Sequence, residues 1–387
     1  MNIYDVLIIG GGPAGALLGH LMAQKNSKVL ILERNKEVGR KVCGEYLCPQ
    51  GVKLLDELNL QSVYDGFLPL NGMMIHTPKG CRVNSTFPTS EGGRRNFGVS
   101  VNRKILDQRL AKLASESGAD LRFGQSVVSF EYLGTYWRVE TADKEVYYSR
   151  LLVGADGRNS IVARQLKLQL PNSKKRIALH AWLNTDKVPI RKGQMFIFER
   201  GSYIGVDPIS NTELNLSLVC GADEIKHYGS ARNTFKYYLE RIQDELGVTL
   251  EEGSKIHTSF PIEHNVKDVI GNNVALIGDA AGFIDPITGE GIFNALLTAK
   301  MLFESINISK ICFDYNSSLQ VYRHKKEKYF REKSFLNTGF QWLIRRSWLI
   351  EIVAKFLNHS KERRDTFIGI IGNIHTPLKG LLKIIIS

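Results

Sequence analysis

The chain has 387 residues, 43% hydrophobic and 23% charged, an ordinary globular composition with length for two domains or one elaborated domain. Five cysteines (Cys43, Cys48, Cys81, Cys220, Cys312) lack a paired metal spacing, and their odd count argues against a complete disulfide framework, so a reducing, cytoplasmic setting is expected. The net charge of +12 is concentrated at the end, where 14 Lys and Arg face 5 Asp and Glu from Arg323 onward; no run approaches the ~20 apolar residues that cross a bilayer, and no secretory leader pattern opens the chain.

Residues 4 to 9 (YDVLII) read as a buried parallel strand ending at glycines. Residues 13 to 24 read as an Ala- and Leu-rich helix and 28 to 33 (KVLILE) as a second strand, so the opening stretch spells a βαβ unit. Asn102 is a candidate cap for a helix through about Ser117, with Ile105, Leu106, Leu110 and Leu113 on one apolar face. Strand-like runs at 119–123, 125–131, 135–140 and 145–153 predict a meander, and runs between about 178 and 220, such as QMFIFE and LNLSLVC, predict a mostly antiparallel sheet. Helical patterning dominates after Gly289, with helices expected at 314–334 and 340–358.

Gly10-Gly11-Gly12-Pro13-Ala14-Gly15 fits GxGxxG between that strand and helix. The three motif glycines differ in what they allow. Gly10 permits the tight turn, Gly12 lets the backbone approach a pyrophosphate, and Gly15 allows the helix to pack closely on the strand. The helix N-terminus offers N–H groups to phosphates. Glu33 ends the second strand 18 residues after Gly15, where an acid binds ribose hydroxyls, and Arg34 adjoins it. An acid there suits an unphosphorylated ribose, FAD or NAD rather than NADP. The bland alternatives are a mere strand-helix turn and a plain surface acid.

Two further stretches complete the pattern: Leu152-Val153-Gly154-Ala155-Asp156-Gly157-Arg158, with Arg164 beyond it, and Val274-Ala275-Leu276-Ile277-Gly278-Asp279-Ala280-Ala281-Gly282. With the glycine motif, they make roughly residues 3 to 330 resemble the flavoprotein superfamily typified by p-hydroxybenzoate hydroxylase. That superfamily also includes squalene epoxidases, flavin halogenases and geranylgeranyl reductases. The resemblance implies that Asp156 lies near the flavin pyrophosphate and that Asp279 binds the ribityl chain of FAD. It also implies that Gly289, Gly291 and Ile292 open a helix whose N-terminus stabilises charge at the reduced flavin edge. Arg103 is similar to a family arginine near the flavin, or is a solvated charge at a helix start. For Asp156 and Asp279 the alternatives are turn formation and helix capping.

The stretch Gly39-Arg40-Lys41-Val42-Cys43-Gly44-Glu45 follows the second strand, where Arg40 and Lys41 are candidates to neutralise flavin phosphate or ring charge. Its Lys-x-Cys-Gly pattern is similar to one in geranylgeranyl reductases. Cys43 then either positions substrate or nicotinamide or packs as a small apolar group, and Glu45 is either a proton donor or a surface acid. The tail mixes Trp342, Trp348 and aliphatic residues with Arg345, Arg346 and Lys355, which suits a peripheral membrane face or, equally, a helical cover on the cofactor domain. No nucleic-acid recognition motif is present.

The expected architecture is an α/β, Rossmann-like FAD-binding domain of the glutathione-reductase type, built from residues 1–170 and 266–330. A mixed or antiparallel β-sheet substrate domain (171–265) is inserted, and a basic helical segment (331–387) follows. The expected activity is NAD(P)H-dependent flavin reduction followed by hydride transfer to a double bond of a hydrophobic, isoprenoid- or polyene-like substrate. The alternatives are an FAD-dependent monooxygenase and a non-catalytic flavin or lipid binder. A tryptophan-type halogenase is disfavoured, because its Trp-x-Trp-x-Ile-Pro segment is absent.

Overall fold

The computed structural model describes residues 2–89, 93, 95–171, 176–283, 286–308 and 315–386; Cys312 lies outside them. The chain begins with β1 (Ile3–Ile9), α1 (Pro13–Ala23) and β2 (Val29–Glu33), the βαβ unit expected. The hairpin of β3 (Gly72–His76) and β4 (Arg82–Thr86) follows. Then come α2 (Arg103–Glu116), β5 (Asp120–Phe123), β6 (Val127–Tyr132), β7 (Trp137–Thr141), β8 (Val146–Gly154) and α3 (Ile161–Gln165). The Asn102 side chain caps α2 by accepting from the Lys104 and Ile105 N–H groups, the bond its residue type favours.

The second half runs through β9 (Arg176–Asn184), β10 (Gly193–Ile197), β11 (Tyr203–Pro208), β12 (Glu213–Gly221), α4 (Ala231–Leu239), β13 (His257–Ser259), β14 (Ile270–Gly271) and β15 (Val274–Leu276). Five helices close it: α5 (Gly291–Ile308), α6 (Tyr315–Ile344), α7 (Ser347–Asn358), α8 (Lys361–Ile371) and α9 (Pro377–Ile386).

Two sheets organise these elements. The first has the order β14-β15-β8-β1-β2-β5, with β6 and β7 continuing from β8 as a meander. Its central pairs, β15 with β8, β8 with β1, β1 with β2 and β2 with β5, are all parallel. Parallel strands are covered on both faces, which is why β1 and β2 are almost wholly apolar and buried. Every residue of α1 is buried, because it is wedged between α2 and α5.

The second sheet has the order β13-β9-β12-β11-β10-β3-β4 and is antiparallel except where β10 meets β3. It reaches outside the 171–265 span by recruiting the Gly72–Thr86 hairpin, a pairing between segments too distant in sequence for local pattern to reveal. One of its faces packs on α4 through Phe235, Tyr238 and Leu239. Deleting the fully buried Phe235 ring would cost about 3–5 kcal/mol.

Two expectations are corrected. Ile105 is exposed, because the inward stripe of α2 runs through Leu106, Leu110 and Ala114. The first tail helix does not stop near 334. It continues through Gly339, whose cost of about 1 kcal/mol in a helix interior is tolerated, and breaks at Arg345–Arg346. Among the described residues no helix is long and apolar enough to cross a membrane.

Candidate flavin site

The C-terminal ends of β1, β2, β8 and β15 open on one crevice, the place where parallel α/β sheets bind ligands. The glycines divide their labour as the motif predicts. Gly10 has φ +107°, and a Cβ there would stand 2.4 Å from the Ala155 carbonyl oxygen. A Cβ on Gly15 would stand 2.0 Å from the Gly10 carbonyl oxygen. Gly12 is different: it caps α1 in an extended conformation without a side-chain hydrogen bond, and among the described residues a Cβ there would meet only Lys41 Nζ, at 4.0 Å. The first-turn N–H groups therefore face open space beside an ammonium group, with no acid in that turn, which fits a diphosphate.

Glu33 is buried rather than a surface acid. Its Oε2 accepts from Gly11 N–H at 2.9 Å, and its Oε1 accepts from Asn35 N–H at 3.0 Å and Asn35 Nδ2 at 2.6 Å. A carboxylate retains further lone pairs, so Glu33 braces the glycine loop and still has acceptor sites for a ribose. Arg34 beside it is exposed. Gly278 packs under the loop, a Cβ there standing 3.0 Å from Ala14 Cβ, and its N–H donates to Thr298 Oγ1 at 2.8 Å.

The Asp279 side chain is one-third exposed into the crevice, 3.9 Å from Arg158 Nε; the enclosing protein pushes its carboxyl up, and Arg158 opposes that. Among the described residues no hydrogen bond to its carboxylate is found beside the Arg158 ion pair, which leaves it acceptor sites for a ribityl contact. Asp156 is otherwise occupied. Its Oδ1 accepts from Ser160 Oγ at 2.6 Å and its Oδ2 from Ile161 N–H at 2.6 Å, capping α3. The crevice receives its backbone, against which Gly10 packs, in place of its carboxylate.

The stretch after β2 crosses to the second sheet. Lys41 stays at the crevice, 3.5 Å from Asp107. Arg40 turns away from it: its guanidinium donates to both Glu213 carboxylate oxygens at 3.2 and 3.1 Å and lies 4.1 Å from the Trp182 ring centre. Arg40 thus ties this loop to β12 and β9. Arg103 is nearly buried, donating from Nε and Nη2 to the two Asp107 oxygens at 3.0 Å each, so it is not a solvated helix-start charge.

Glu45 is fully buried, which removes the surface-acid reading. It accepts from Arg103 N–H at 2.9 Å and from Trp182 Nε1 at 2.6 Å, with Arg40 at 3.6 Å. Burial raises its carboxyl, while those donors pull the other way. Burial also pushes the Cys43 thiol up against the pull of Arg103, keeping it protonated and unsuited to act as a thiolate nucleophile.

The sheet face opposite this loop is polar by alternation. Trp182 pairs with Asn215 and Asn215 with Asp207, while His180 pairs with Ser217 and Ser217 with Gly205. The intervening Leu179, Ala181, Ile204, Val206, Leu214 and Leu216 fill the second core. Asn215 Nδ2 donates to the Cys43 carbonyl at 2.6 Å, so the polar face and the loop are directly joined. At the other end, Gly289 (φ +69°) closes on the Tyr46 ring, Gly291 opens α5 and Ile292 is buried behind it. A cavity of about 290 Å³ adjoins Asp279 there, lined also by His264, Glu290, Lys326 and Lys333.

The family model of the FAD binding domain matches residues 3–307. The chain belongs to this family. It is an FAD-dependent oxidoreductase, and the glycine cradle, Lys41 and Asp279 fit that cofactor. It is similar to conditioned medium factor receptor 1 of Dictyostelium discoideum, 28% identical over 317 residues that cover 76% of this chain but 61% of that protein. It is also similar to digeranylgeranylglycerophospholipid reductase of Methanocaldococcus jannaschii, 25% identical over 76% of this chain and 74% of that one. A flavin-dependent brominase shares the fold with a TM-score of 0.80 at 20% identity, covering 100% of this chain and 97% of the other.

Several groups of this flavoprotein escaped the sequence reading. Asp107, which fixes Arg103 and Lys41, was legible as the i+4 partner of Arg103. Trp182, Asn215 and Asp207 were legible only as the polar half of strands that alternate strictly, a signal of a face without its address.

Proposed function

We propose that this flavoprotein takes hydride from NAD(P)H and delivers it to a double bond of a hydrophobic, isoprenoid-like substrate. The observation that carries the reading is the Lys41–Glu45 loop, held between the cofactor crevice and the polar face of the second sheet by Glu45, Arg103 and Trp182. It is the segment whose Lys-x-Cys-Gly pattern is similar to that of geranylgeranyl reductases, and a relative bearing that kind of name covers 76% of the chain.

When bound, FAD supplies the hydride-transfer chemistry, and the protein supplies position and electrostatics. Lys41 and the α1 N-terminus would hold diphosphate charge. Asp279 would accept from ribityl hydroxyls. Arg103, locked to Asp107, keeps a permanent positive charge beside the Cys43 thiol. The N-terminus of α5 favours negative charge at its mouth. The sequence contains one strand-linked GxGxxG, so a nicotinamide nucleotide would visit the crevice transiently.

The C-terminal helices suit delivery of a lipid-like substrate. Trp348, Ile352, Leu382 and Ile385 are each more than half exposed, and Arg345, Arg346, Lys355, Lys379 and Lys383 lie among them in sequence. This supports a peripheral contact with an anionic membrane surface. The test of the activity is anaerobic: NADH or NADPH bleaches the bound flavin, and addition of a geranylgeranyl lipid restores the oxidised spectrum with a saturated product. Nicotinamide oxidation that requires oxygen in step with a hydroxylated or epoxidised product would replace this reading with a monooxygenase.

A further inference from the structure

Asp207 sits in the polar row of β11, and none of the cofactor-holding contacts uses it. It is 9% exposed, and its Oδ1 is shielded from solvent with no hydrogen-bond partner among the described residues. The same is true of Asn215 Oδ1, directly opposite on β12, and of Tyr46 Oη, on the loop that covers this face. Cross-strand neighbours stand about 5 Å apart, so the first two orphaned atoms belong to one spot. Buried polar atoms are normally satisfied, and leaving one unpaired costs about 1–3 kcal/mol. Three together, beside Glu45 and Cys43, mark a place where a ligand belongs.

The packing around Asp207 loosens along β11 toward Gly205. Gly193 flanks Asp207 on β10, where a Cβ would stand 3.3 Å from Asp207 Oδ1. Over Gly205, two residues earlier on the same face, a Cβ would meet nothing within 4 Å. Burial pushes the Asp207 carboxyl up to about 8, and the Glu45 charge adds to that. The groups turned toward it are Glu45 and Tyr46 from the loop and Asn215 from β12, while Arg40 beyond them is bound to Glu213. Asp207 therefore holds a proton at neutral pH.

We propose that Asp207 is the general acid of this site, protonating the substrate carbon adjacent to the one that receives hydride. The inference rests on the hydride-transfer reading above. The hydride pair forms one C–H bond, and the π pair takes the proton from Asp207 to form the second. The Asp207 O–H bond breaks, leaving a carboxylate that water reprotonates. The alkene gains the two electrons that NAD(P)H lost.

The test uses the FAD-loaded enzyme with a geranylgeranyl lipid, in wild type and Asp207→Asn, each with flavin content measured. Infrared spectra at pH 7 should contain a protonated-carboxyl band that Asp207→Asn removes, and anaerobic alkene saturation should fall by about 10²–10⁴-fold in the variant. Wild-type saturation should decline as pH rises through about 8, a readout that stands even if the variant fails to hold FAD. An unchanged band, an unchanged rate in a flavin-replete variant, or a wild-type rate flat from pH 6 to about 9 overturns the assignment alone. If the wild type saturates no prenyl double bond, the hydride-transfer reading fails, and the role of Asp207 falls with it.

Discussion

Gly12→Ala separates the cofactor function of the glycine loop from its structural function. At Gly12 the backbone is extended, with φ −73°, and among the described residues a Cβ finds no atom closer than Lys41 Nζ at 4.0 Å, so the apoprotein accommodates alanine without strain. Alanine is a poorer N-cap than glycine, but it also loses less chain entropy on folding; each effect is about 0.5–1 kcal/mol and they oppose one another. Apoprotein stability should therefore change by less than about 1 kcal/mol. The added methyl fills the gap that a diphosphate needs to reach the first-turn N–H groups. Losing two charge-assisted hydrogen bonds, each about 1.5–3 kcal/mol, raises the FAD dissociation constant by about 10²–10⁴-fold. Thermal melts of the apoprotein and flavin fluorescence titration measure the two quantities. An unchanged FAD affinity, or a large loss of apoprotein stability, would refute the assignment of this turn to phosphate binding.

Gly15→Ala should behave in the opposite way, because its Cβ would stand 2.0 Å from the Gly10 carbonyl oxygen; a loss of more than about 3 kcal/mol, read by urea denaturation of the apoprotein, is expected before any cofactor is added. Acid stability should report His180, which burial first, then Arg158 and His257, push down to about 3. Unfolded, this group titrates near 6.5, so its contribution is complete above that pH and is lost as pH falls from 6.5 toward 3, by up to about 1.4 kcal/mol per unit; the decline in urea midpoint between pH 7 and 5 should be smaller in His180→Gln. Trp348→Glu should weaken co-sedimentation with anionic vesicles and leave neutral vesicles unbound as before, and raising salt should weaken the wild type in the same way. Wild-type protein that ignores anionic vesicles would rule out the membrane contact.

Local rules made much of the flavin domain legible. The apolar runs at 4–9 and 28–33 could hardly be anything but buried strands, the spacing of Gly10, Gly12 and Gly15 carried its own steric logic, and Asn102 announced the start of α2. Side chains whose partners come from far along the chain were not legible. Glu33 read as a ribose ligand with a surface acid as the alternative, and only the fold shows it buried and bracing Gly11 and Asn35; Asp156 read as lying near the pyrophosphate with a turn as the alternative, and only the fold shows its carboxylate held by Ser160 and Ile161. Arg40 and Lys41 are adjacent and of one charge, yet one holds Glu213 and the other guards the crevice, a division that adjacency cannot predict.

The sequence by itself determined the chemistry class, because phosphate binding by backbone needs glycines at fixed local intervals, and such intervals survive in one dimension. The tertiary structure alone decided which acids are available to react. That depends on how the second sheet, completed by the Gly72–Thr86 hairpin, presents Trp182, Asn215 and Asp207 to the Cys43–Tyr46 loop. Desolvation and hydrogen bonding are set by neighbours in space, and those that act on Glu45 and Asp207, among them Arg103, Trp182 and Asn215, come largely from other elements of the fold.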